Sequence, residues 1–538
     1  TPAIAKMNNR DLFAREALAQ IPKILTLLDR NPHSPTYGCF DRTFWQYKVI
    51  DFPAGMSQEF VYPLALAYSC DRPGNIYYQQ PMIKEWVKAG IAYANLSSHS
   101  NGSCDDYFPY ERAAGAAAFS LLACLESTSL LGLEHSEEIL DFFRRRADWL
   151  AEHQESGRLT NHQALIVLCL ELVGRLLKTD RWAISQQERL EQVYAWQNPE
   201  GWFIEYEGCD PGYHTLTISC LARLYELQPN ERLKQAIASA VKLAAEFVHP
   251  DGSYGGEYTS RNTYNFFPHG FELVGKWLPE ALNINDRFLQ GLAAGLGSCY
   301  ADDRIVGHHT WNYLLAWRDF IPTRPPLQPR TQGRIYLQQG GILIDRRGQT
   351  ELYLALNKGG VFKLFRDNKL VASDTQFSLL VKDGNKRRNA VGHLVDNYQI
   401  KLESDQIAIA GKLGWAKQKQ MNPLNLIILR LVMLSLGRFF PNLIRRSLQK
   451  ILITGKQTTP FTFSRRLAWH DGHWRIEDSL TAESWDNVIA VDLGCDRTSI
   501  YVVMSRTFQP GQLQPAWDLS DRLANLRPGE PLNLTRDF

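Results

Sequence analysis

Residues 321–333, IPTRPPLQPRTQG, divide the chain into two parts with different hydrophobic periodicity. Four prolines in this short stretch are typical of a linker, because proline disrupts both helices and central strands. Before the stretch, apolar residues recur with the period of a helix, and after it they alternate with a period of two. We therefore predict a helical domain over residues 1–320, a linker over 321–333 and a β-domain over 334–538.

The helical part contains a series of amphipathic segments joined by short connections rich in Gly, Asn, Asp and Pro. Serial helical hairpins form either an open solenoid or a closed α/α toroid. No tetratricopeptide or ankyrin motif is present, and the loops carry aromatic and charged residues. These features favour a toroid with a loop-lined cleft. The predicted helices cover residues 10–29, 59–69, 81–94, 110–132, 135–153, 160–177, 182–196, 212–227, 230–248, 265–277 and 284–298.

The second part is expected to be an antiparallel β-sandwich. Its predicted strands cover residues 334–337, 341–345, 352–356, 377–381, 398–402, 407–409, 475–480 and 500–504.

A basic insertion interrupts the β-pattern at about residues 412–456. From Gln406 to His470 there is no Asp or Glu, whereas there are eleven Lys and Arg. The middle of this segment is apolar with interspersed arginines, which predicts one or two amphipathic helices split at Pro441. Such helices pack on the sandwich, contact a membrane surface, or bind an acidic polymer.

Length and composition set broad limits. The 538 residues and 61.5 kDa predict at least two domains. The nine cysteines form no CxxC pair, and we expect buried free thiols, which weakly favours a reducing compartment. No apolar signal segment is visible at residue 1, and no uninterrupted apolar run approaches ~18 residues, the length of a membrane-spanning helix. We expect a periplasmic or secreted protein if a signal was removed, and a cytoplasmic protein otherwise.

Two motifs at predicted helix starts carry groups suited to proton transfer. Asn161 and His162 begin one apolar helix, and Tyr213 and His214 follow Pro211 at the start of another. Elimination at a uronate requires a group that neutralises the sugar carboxylate, a base for the C5 proton and an acid for the leaving oxygen. Amide, imidazole and phenol groups meet these needs. An N-cap Asn and a core Tyr are the ordinary structural alternatives.

Other clusters supply candidate substrate-binding residues. Arg261 is suited to binding a carboxylate bidentately. The segments 307–312 and 105–112 are further candidates, the second for the cleft entrance, although an ordinary polar loop is the better explanation of both. The candidate substrate-binding residues are Trp202, Tyr206, His214, Tyr258, Arg261, Asn262, Tyr264, His269 and His309.

The order of parts resembles the heparinase II/III and alginate-lyase superfamily of polysaccharide lyases. Residues 160–164 resemble the Asn-His helix start of that superfamily, and residues 205–214 resemble its catalytic-Tyr segment. The resemblance implies an α/α toroid followed by a β-sandwich. It further implies that His162 and Tyr213 form the proton-transfer pair and that Asn161 neutralises the substrate carboxylate.

The histidines of the second part depart from this family pattern. Members often bring a His from the β-domain to the cleft, and many hold a structural zinc there. Here the β-domain offers only His393, His470 and His473, in contexts that do not match. We therefore expect no cofactor and no metal-ligating site residues, with a structural zinc in the β-domain as the less favoured alternative, and the cleft histidine is sought at His269 or His309.

Two other functions compete with the lyase hypothesis. A toroidal glycoside hydrolase would use two carboxylates, for which Asp105, Asp106, Glu111, Asp210 and Glu257 are available. A non-catalytic factor would only bind an acidic exopolysaccharide. The expected partner is an acidic polysaccharide or oligosaccharide, and no nucleic acid is expected.

Overall fold

The computed structural model describes residues 9–298, 304–417, 420–451, 456–497 and 507–538. Its first part is helical. The helices are α1 (Asn9–Leu18), α2 (Ile21–Leu27), α3 (Arg42–Trp45), α4 (Val61–Ser69), α5 (Pro81–Leu96), α6 (Ala114–Leu131), α7 (Glu137–Glu152), α8 (Thr160–Leu177), α9 (Ala183–Ala195), α10 (Pro211–Leu227), α11 (Glu231–Ala245), α12 (His269–Val274), α13 (Ala281–Ala293) and α14 (Val306–Arg318).

Helices of the described residues form two concentric layers. In the inner layer α4, α6, α8, α10, α12 and α14 each pack on the next, and α14 returns to α4. Helices α5, α7, α9, α11, α13 and α1 lie outside them. The inner helices are apolar on nearly all sides, and every residue of α10 from Pro211 to Ala222 is buried. The predicted α/α toroid is confirmed.

Helix α6 is the one described helix that is long and apolar enough to cross a membrane, judged by length and composition. However, 83% of it is buried inside the protein. Its neighbours in the inner layer are α4 and α8. Its apolar composition is therefore that of a core helix surrounded by other helices.

The second part is built from antiparallel strands. A five-stranded sheet has the order β3 (Gly333–Leu337), β4 (Ile342–Arg347), β5 (Thr350–Ala355), β6 (Val361–Arg366), β7 (Lys369–Asp374). A nine-stranded sheet has the order β15 (Trp517–Asp518), β14 (Val488–Leu493), β8 (Phe377–Asp383), β9 (Lys386–Val391), β11 (Gln406–Trp415), β12 (Thr458–His470), β13 (His473–Ala482), β16 (Leu532–Asp537), with β10 (Gln399–Leu402) on β11. A two-stranded hairpin, β1 (Ile204–Glu205) and β2 (Gly208–Cys209), lies within the helical part.

The five-stranded sheet lies between the toroid and the nine-stranded sheet. Ile342 and Ile344 belong to the hydrophobic core of the toroid, whereas Leu343 and Leu354 pack in the core that includes the second sheet. Because alternate side chains of a strand point to opposite faces, both faces of this sheet are buried. The predicted β-sandwich is confirmed, and its first sheet forms the contact with the toroid.

The basic insertion leaves the nine-stranded sheet after β11 and returns at β12. It contains α15 (Pro423–Leu434) and α16 (Pro441–Gln449). These helices contact the toroid, because Arg430 pairs with Asp51 at 3.0 Å and the Asn442 amide donates to the Gln154 carbonyl at 3.1 Å. The predicted strand at 500–504 lies outside the described residues, as does Cys299. The other eight cysteines are free and buried.

A buried ionic cluster joins the two sheets of the sandwich. Arg465 of β12 lies 2.6 Å from Asp478 of β13 and 3.1 Å from Asp374 of β7. Arg536 of β16 lies 2.8 Å from Asp374 and 2.6 Å from Asp478. All four side chains of this cluster are buried. Each charge therefore depends on its partners for the stabilisation that water would otherwise give.

Replacing Arg465 by Leu should therefore destabilise the β-domain. Removing one member of a buried ionic cluster leaves the other charges unpaired, which costs about 3–5 kcal/mol. The neighbouring Arg466, which pairs with Glu477 at an exposed site, is the matched control. Denaturant unfolding should show a large loss for Arg465→Leu and at most about 1 kcal/mol for Arg466→Leu. Equal losses would show that burial of the cluster contributes little.

Candidate active site

Four segments meet at one rim of the toroid. The Thr160 hydroxyl at the start of α8 donates to the Ile204 carbonyl of β1 at 2.7 Å. Asp210, the N-cap of α10, accepts the Tyr213 backbone N–H at 2.9 Å and the Thr263 hydroxyl at 2.8 Å. These bonds hold two helix starts, the β1–β2 hairpin and the 254–264 loop together.

A cavity of about 340 Å³ opens at this rim. It is lined by residues of the toroid and of the basic insertion. The polar side chains of its lining are Asp106, Tyr107, Glu111, His162, Tyr206, Tyr213, Arg261, His308, Arg445 and Gln449. Three of the residues proposed from sequence for chemistry or carboxylate binding, His162, Tyr213 and Arg261, therefore share one cavity.

His162 is oriented by a buried carboxylate. Its Nδ1 lies 2.8 Å from Glu155 Oε2, and Arg445 of α16 lies 3.2 Å from Glu155 Oε1. Burial alone would raise the pKa of Glu155, but His162 and Arg445 lower it to about 2. The carboxylate is thus ionised at neutral pH and accepts a hydrogen bond from the Nδ1–H group. In the neutral imidazole this leaves Nε2 as the nitrogen with a free electron pair.

Gly115 of α6 provides the space for this imidazole. A methyl group built at Gly115 would lie 2.7 Å from Cε1 and 2.9 Å from Nε2 of His162. Any larger residue at this position would therefore displace the ring.

Arg261 is held between two phenol rings and a carboxylate. Its guanidinium carbon lies 4.0 Å from the Tyr213 ring centroid and 4.7 Å from that of Tyr206. Its Nη1 lies 3.3 Å from Glu205 Oε2. Burial lowers the pKa of Arg261, but Tyr213, Tyr206 and Glu205 outweigh it and raise that pKa. The cavity therefore holds a fixed positive charge beside Tyr213.

Tyr206 is directed to this place by a tight turn. The two residues between β1 and β2, Tyr206 and Glu207, have φ values of 48° and 67°. Two-residue hairpin turns require such left-handed conformations and normally contain Asn or Gly. Burial raises the pKa of Tyr206, against the opposing effect of Arg261. A strained conformation at an aromatic cavity residue is typical of functional sites.

The cavity lining also includes His308 and the carboxylates of Asp106 and Glu111. His308 Nδ1 lies 2.5 Å from Glu59 Oε1, and its ring stacks on Phe119 with centroids 3.7 Å apart. Glu111 accepts the backbone N–H groups of Asp106 and Tyr107, and burial raises its pKa.

Asn161 lies beneath the cavity. Its side-chain amide and its backbone N–H donate to Glu205 Oε1 at 2.8 and 2.9 Å. It is fully buried and does not line the cavity. The structure thus places Asn161 behind Glu205, which in turn pairs with Arg261, and Arg261 rather than Asn161 lines the cavity.

The loop residues proposed for substrate binding, apart from Arg261, serve packing. The Tyr258 hydroxyl lies 2.8 Å from His249 Nε2, and the Tyr264 hydroxyl donates to Glu257. Asn262, in a left-handed conformation, accepts from the Lys358 ammonium, which also donates to two loop carbonyls. None of these three lines the cavity. They attach the 254–264 loop to its own core and to the β-domain.

His214, His269, His309 and Trp202 also lie away from the cavity. His214 bonds the Ala240 carbonyl, and burial lowers its pKa to about 4. His309 bonds Asn265 and stacks on Phe267, and burial lowers its pKa to about 3. His269 pairs with Asp319 beside a different, apolar cavity, and Trp202 donates to Glu200 next to the β-domain. Each of these four side chains has a bonding partner within the protein away from the cavity.

The β-domain histidines are dispersed. His393 is buried and bonds the Thr375 carbonyl, whereas His470 and His473 lie at the β12–β13 turn. Within the described ranges no three His, Cys, Asp or Glu side chains are grouped as metal ligands would be.

Sequence reasoning did not single out Glu155, Glu205 or Arg445 as members of the site, and within 307–312 it chose His309 rather than His308. Adjacent helical residues point apart, so only one of His308 and His309 faces the cavity, and nothing in the sequence says which. Arg445 is far from the toroid in sequence and close only in the fold. Glu155 lies in the loop before α8 and Glu205 lies on the short strand β1, and neither position carries a local sequence signal.

No protein-family model matches the chain, and no curated protein matches it. Solved structures do. A chondroitin AC lyase of Streptomyces coelicolor A3, in complex with chondroitin sulphate, has a TM-score of 0.50 at 11% identity, over 91% of this chain and 68% of that one. A Paenibacillus xanthan lyase has a TM-score of 0.49 at 12% identity, over 90% of this chain and 47% of that one. A heparinase III has a TM-score of 0.42 at 12% identity, over 91% and 72%.

The chain has the fold of a toroidal polysaccharide lyase. At these identities the similarity concerns the fold alone, and the resemblance seen in sequence is confirmed at that level. The chain spans about half the length of the xanthan lyase.

The Glu155 carboxylate should make the stability of the folded protein depend on pH in the acidic range. Its pKa is lowered in the folded state, so its contribution is complete above the unfolded value of about 4.5 and is lost as the pH falls towards 2. Thermal unfolding should therefore show Glu155→Gln well below the wild type at neutral pH, with the gap closing below about pH 4.5. Glu152→Gln, at an exposed position of α7, should follow the wild type throughout. A gap independent of pH would contradict an ionised Glu155.

Proposed function

We propose that this protein is a polysaccharide lyase that cleaves a uronate-containing polymer by β-elimination in the cavity at the toroid rim. The observation that carries the proposal is that His162, Tyr213 and Arg261 line one cavity, with the Arg261 guanidinium 4.0 Å from the Tyr213 ring. The toroid-plus-sandwich fold supports it, since structurally similar proteins include lyases.

Arg261 is suited to binding the uronate carboxylate. The acidity of the C5 proton depends on how far the adjacent carboxylate charge is neutralised. A guanidinium binds a carboxylate with paired hydrogen bonds, and Glu205 and the two phenol rings fix its position. Asn161 acts one step behind, by holding Glu205.

His162 and Tyr213 then transfer the protons. His162 Nε2 takes the C5 proton, while Glu155 stabilises the resulting imidazolium. The electron pair of the C5–H bond forms the C4–C5 double bond, and the C4–O bond breaks. The Tyr213 hydroxyl gives its proton to the leaving oxygen. Solvent restores both groups, and the product is an unsaturated uronate.

Arg445 adds a second positive charge to the cavity. It pairs with Glu155, and nearby Glu155, Glu111 and Tyr206 raise its pKa against the lowering effect of burial. Two arginines in one cavity favour a polyanionic chain with carboxylates on more than one sugar.

The test is incubation of the purified protein with a panel of uronate polymers. A lyase produces one ultraviolet-absorbing unsaturated uronate for each new reducing end. Reducing ends without absorbance would show hydrolysis. Binding without either product would show a carbohydrate-binding protein, and both results contradict the proposal.

On an accepted polymer, Tyr213→Phe should lower kcat by about 10²-fold or more, the usual share of general acid catalysis. The change removes one hydroxyl and keeps the ring, so folding should survive. His162→Ala should cause a similar loss. The double variant should lose less than the product of the single losses, because the two groups act in one step. Tyr194→Phe, outside the cavity lining, is the control. Near-full activity of Tyr213→Phe would exclude it as the acid and make Tyr206 the next candidate.

Arg445 and Arg446 form a matched pair for the charge argument. Arg445 lines the cavity, whereas Arg446 is exposed on the other side of α16. Arg445→Ala should lower kcat/KM at least about tenfold, since a hydrogen bond to a charged group contributes about 1.5–3 kcal/mol. Arg446→Ala should leave kcat/KM unchanged. Equal effects would place the contribution in the overall charge of α16 rather than in the cavity.

A hydrolase is the second candidate, because Asp106 and Glu111 line the same cavity and burial raises the pKa of Glu111. A carboxyl with a raised pKa suits a general acid. Glu111→Gln separates the two functions: it should abolish hydrolysis, whereas a lyase should keep its ultraviolet product.

A further inference from the structure

The outer face of the basic insertion is apolar. Thirteen of the twenty-seven exposed large hydrophobic side chains of the described residues lie between Met421 and Ile451. On α15 they follow a helical stripe at Leu424, Ile427, Ile428 and Leu431, and Leu424 and Leu431 are 65% and 62% exposed. A helix in a soluble protein normally turns such a stripe towards the core. Here the stripe faces outward.

The connection between α15 and α16 continues this surface. Leu436, Phe439 and Phe440 are 73%, 64% and 61% exposed, and Leu443 follows on α16. An exposed apolar surface of this extent marks an interaction site.

The inner side of the same helices is fixed to the toroid. Met433 is fully buried, Arg430 pairs with Asp51, and Arg445 pairs with Glu155. Leu429 and Leu448 line the cavity. Polar contacts and a few apolar contacts therefore hold the insertion against the toroid. These contacts fix the outward orientation of the stripe.

The charged residues of the insertion itself are of one sign. Residues 412–456 contain nine Lys and Arg and no Asp or Glu. Arg438, Arg446 and Lys450 are exposed beside the apolar residues. Two copies of this face would bring like charges together, which disfavours self-association. An anionic bilayer offers acyl chains for the leucines and phenylalanines and negative headgroups for the cations.

We propose that the insertion docks the protein on an anionic lipid surface. Helices α15 and α16 lie in the headgroup region with their apolar outer side towards the acyl chains. Since the inner side of these helices lines the cavity, docking brings the cavity mouth close to the bilayer. The proposal does not depend on the lyase reaction.

The experiment is co-sedimentation of the full chain with vesicles made from equal parts of phosphatidylglycerol and phosphatidylcholine. Ile427→Gln combined with Leu431→Gln should weaken binding at least about tenfold, because each buried apolar side chain contributes to interfacial affinity. Leu176→Gln combined with Ile184→Gln removes two exposed apolar side chains elsewhere and should leave binding unchanged.

Charge provides a second and independent measurement. Arg446→Glu and Lys450→Glu should each weaken binding about fivefold or more, and added salt should weaken wild-type binding. Vesicles of phosphatidylcholine alone should bind far less. Circular dichroism confirms that each variant is folded.

Two results would overturn the proposal. One is wild-type protein that does not sediment with anionic vesicles. The other is binding that is unchanged in the Ile427/Leu431 variant. A wild-type dimer that dissociates in that variant, without vesicle binding, would assign the face to a second copy of the chain instead.

Discussion

The Glu155 carboxylate is the constraint on which the site depends, because it joins three parts of the chain at the cavity. It lies in the connection between two toroid helices, accepts a hydrogen bond from His162 Nδ1 and pairs with Arg445 of the distant insertion. A buried carboxylate with a pKa of about 2 depends on both of these partners. Glu155 thus sets the tautomer of His162 and also helps to hold α16 against the toroid.

A second carboxylate, Glu205, organises the other side of the cavity. It is buried beneath Arg261 and receives two hydrogen bonds from Asn161. The site therefore presents an imidazole and a guanidinium, each backed by a carboxylate that is itself removed from water. Such support from behind preorganises the facing groups, which is what charge stabilisation in a reaction requires.

The fold was largely predictable from sequence because each layer imposes its own period on the apolar residues. Outer helices such as α7 and the alternation in β13 gave clear patterns. Asn161, His162 and Tyr213 were found because they stand at helix starts, where loops of a toroid converge. The contributions of His308, Arg445 and Glu155 could not be found, since they depend on rotation about a helix axis and on contacts between distant segments. Tyr258, His214 and His309 look functional in sequence, but burial and specific partners explain them.

The most direct measurement is a crystal structure of His162→Ala with a bound uronate oligosaccharide. The variant removes the proposed base and keeps Arg261, Tyr213 and Arg445 in place. We predict that a uronate carboxylate lies in hydrogen-bond contact with the Arg261 guanidinium, with the glycosidic oxygen next to the Tyr213 hydroxyl and the C5 hydrogen facing the space left by the imidazole. A glycosidic oxygen placed at Asp106 and Glu111, with the carboxylate directed away from Arg261, would contradict the account.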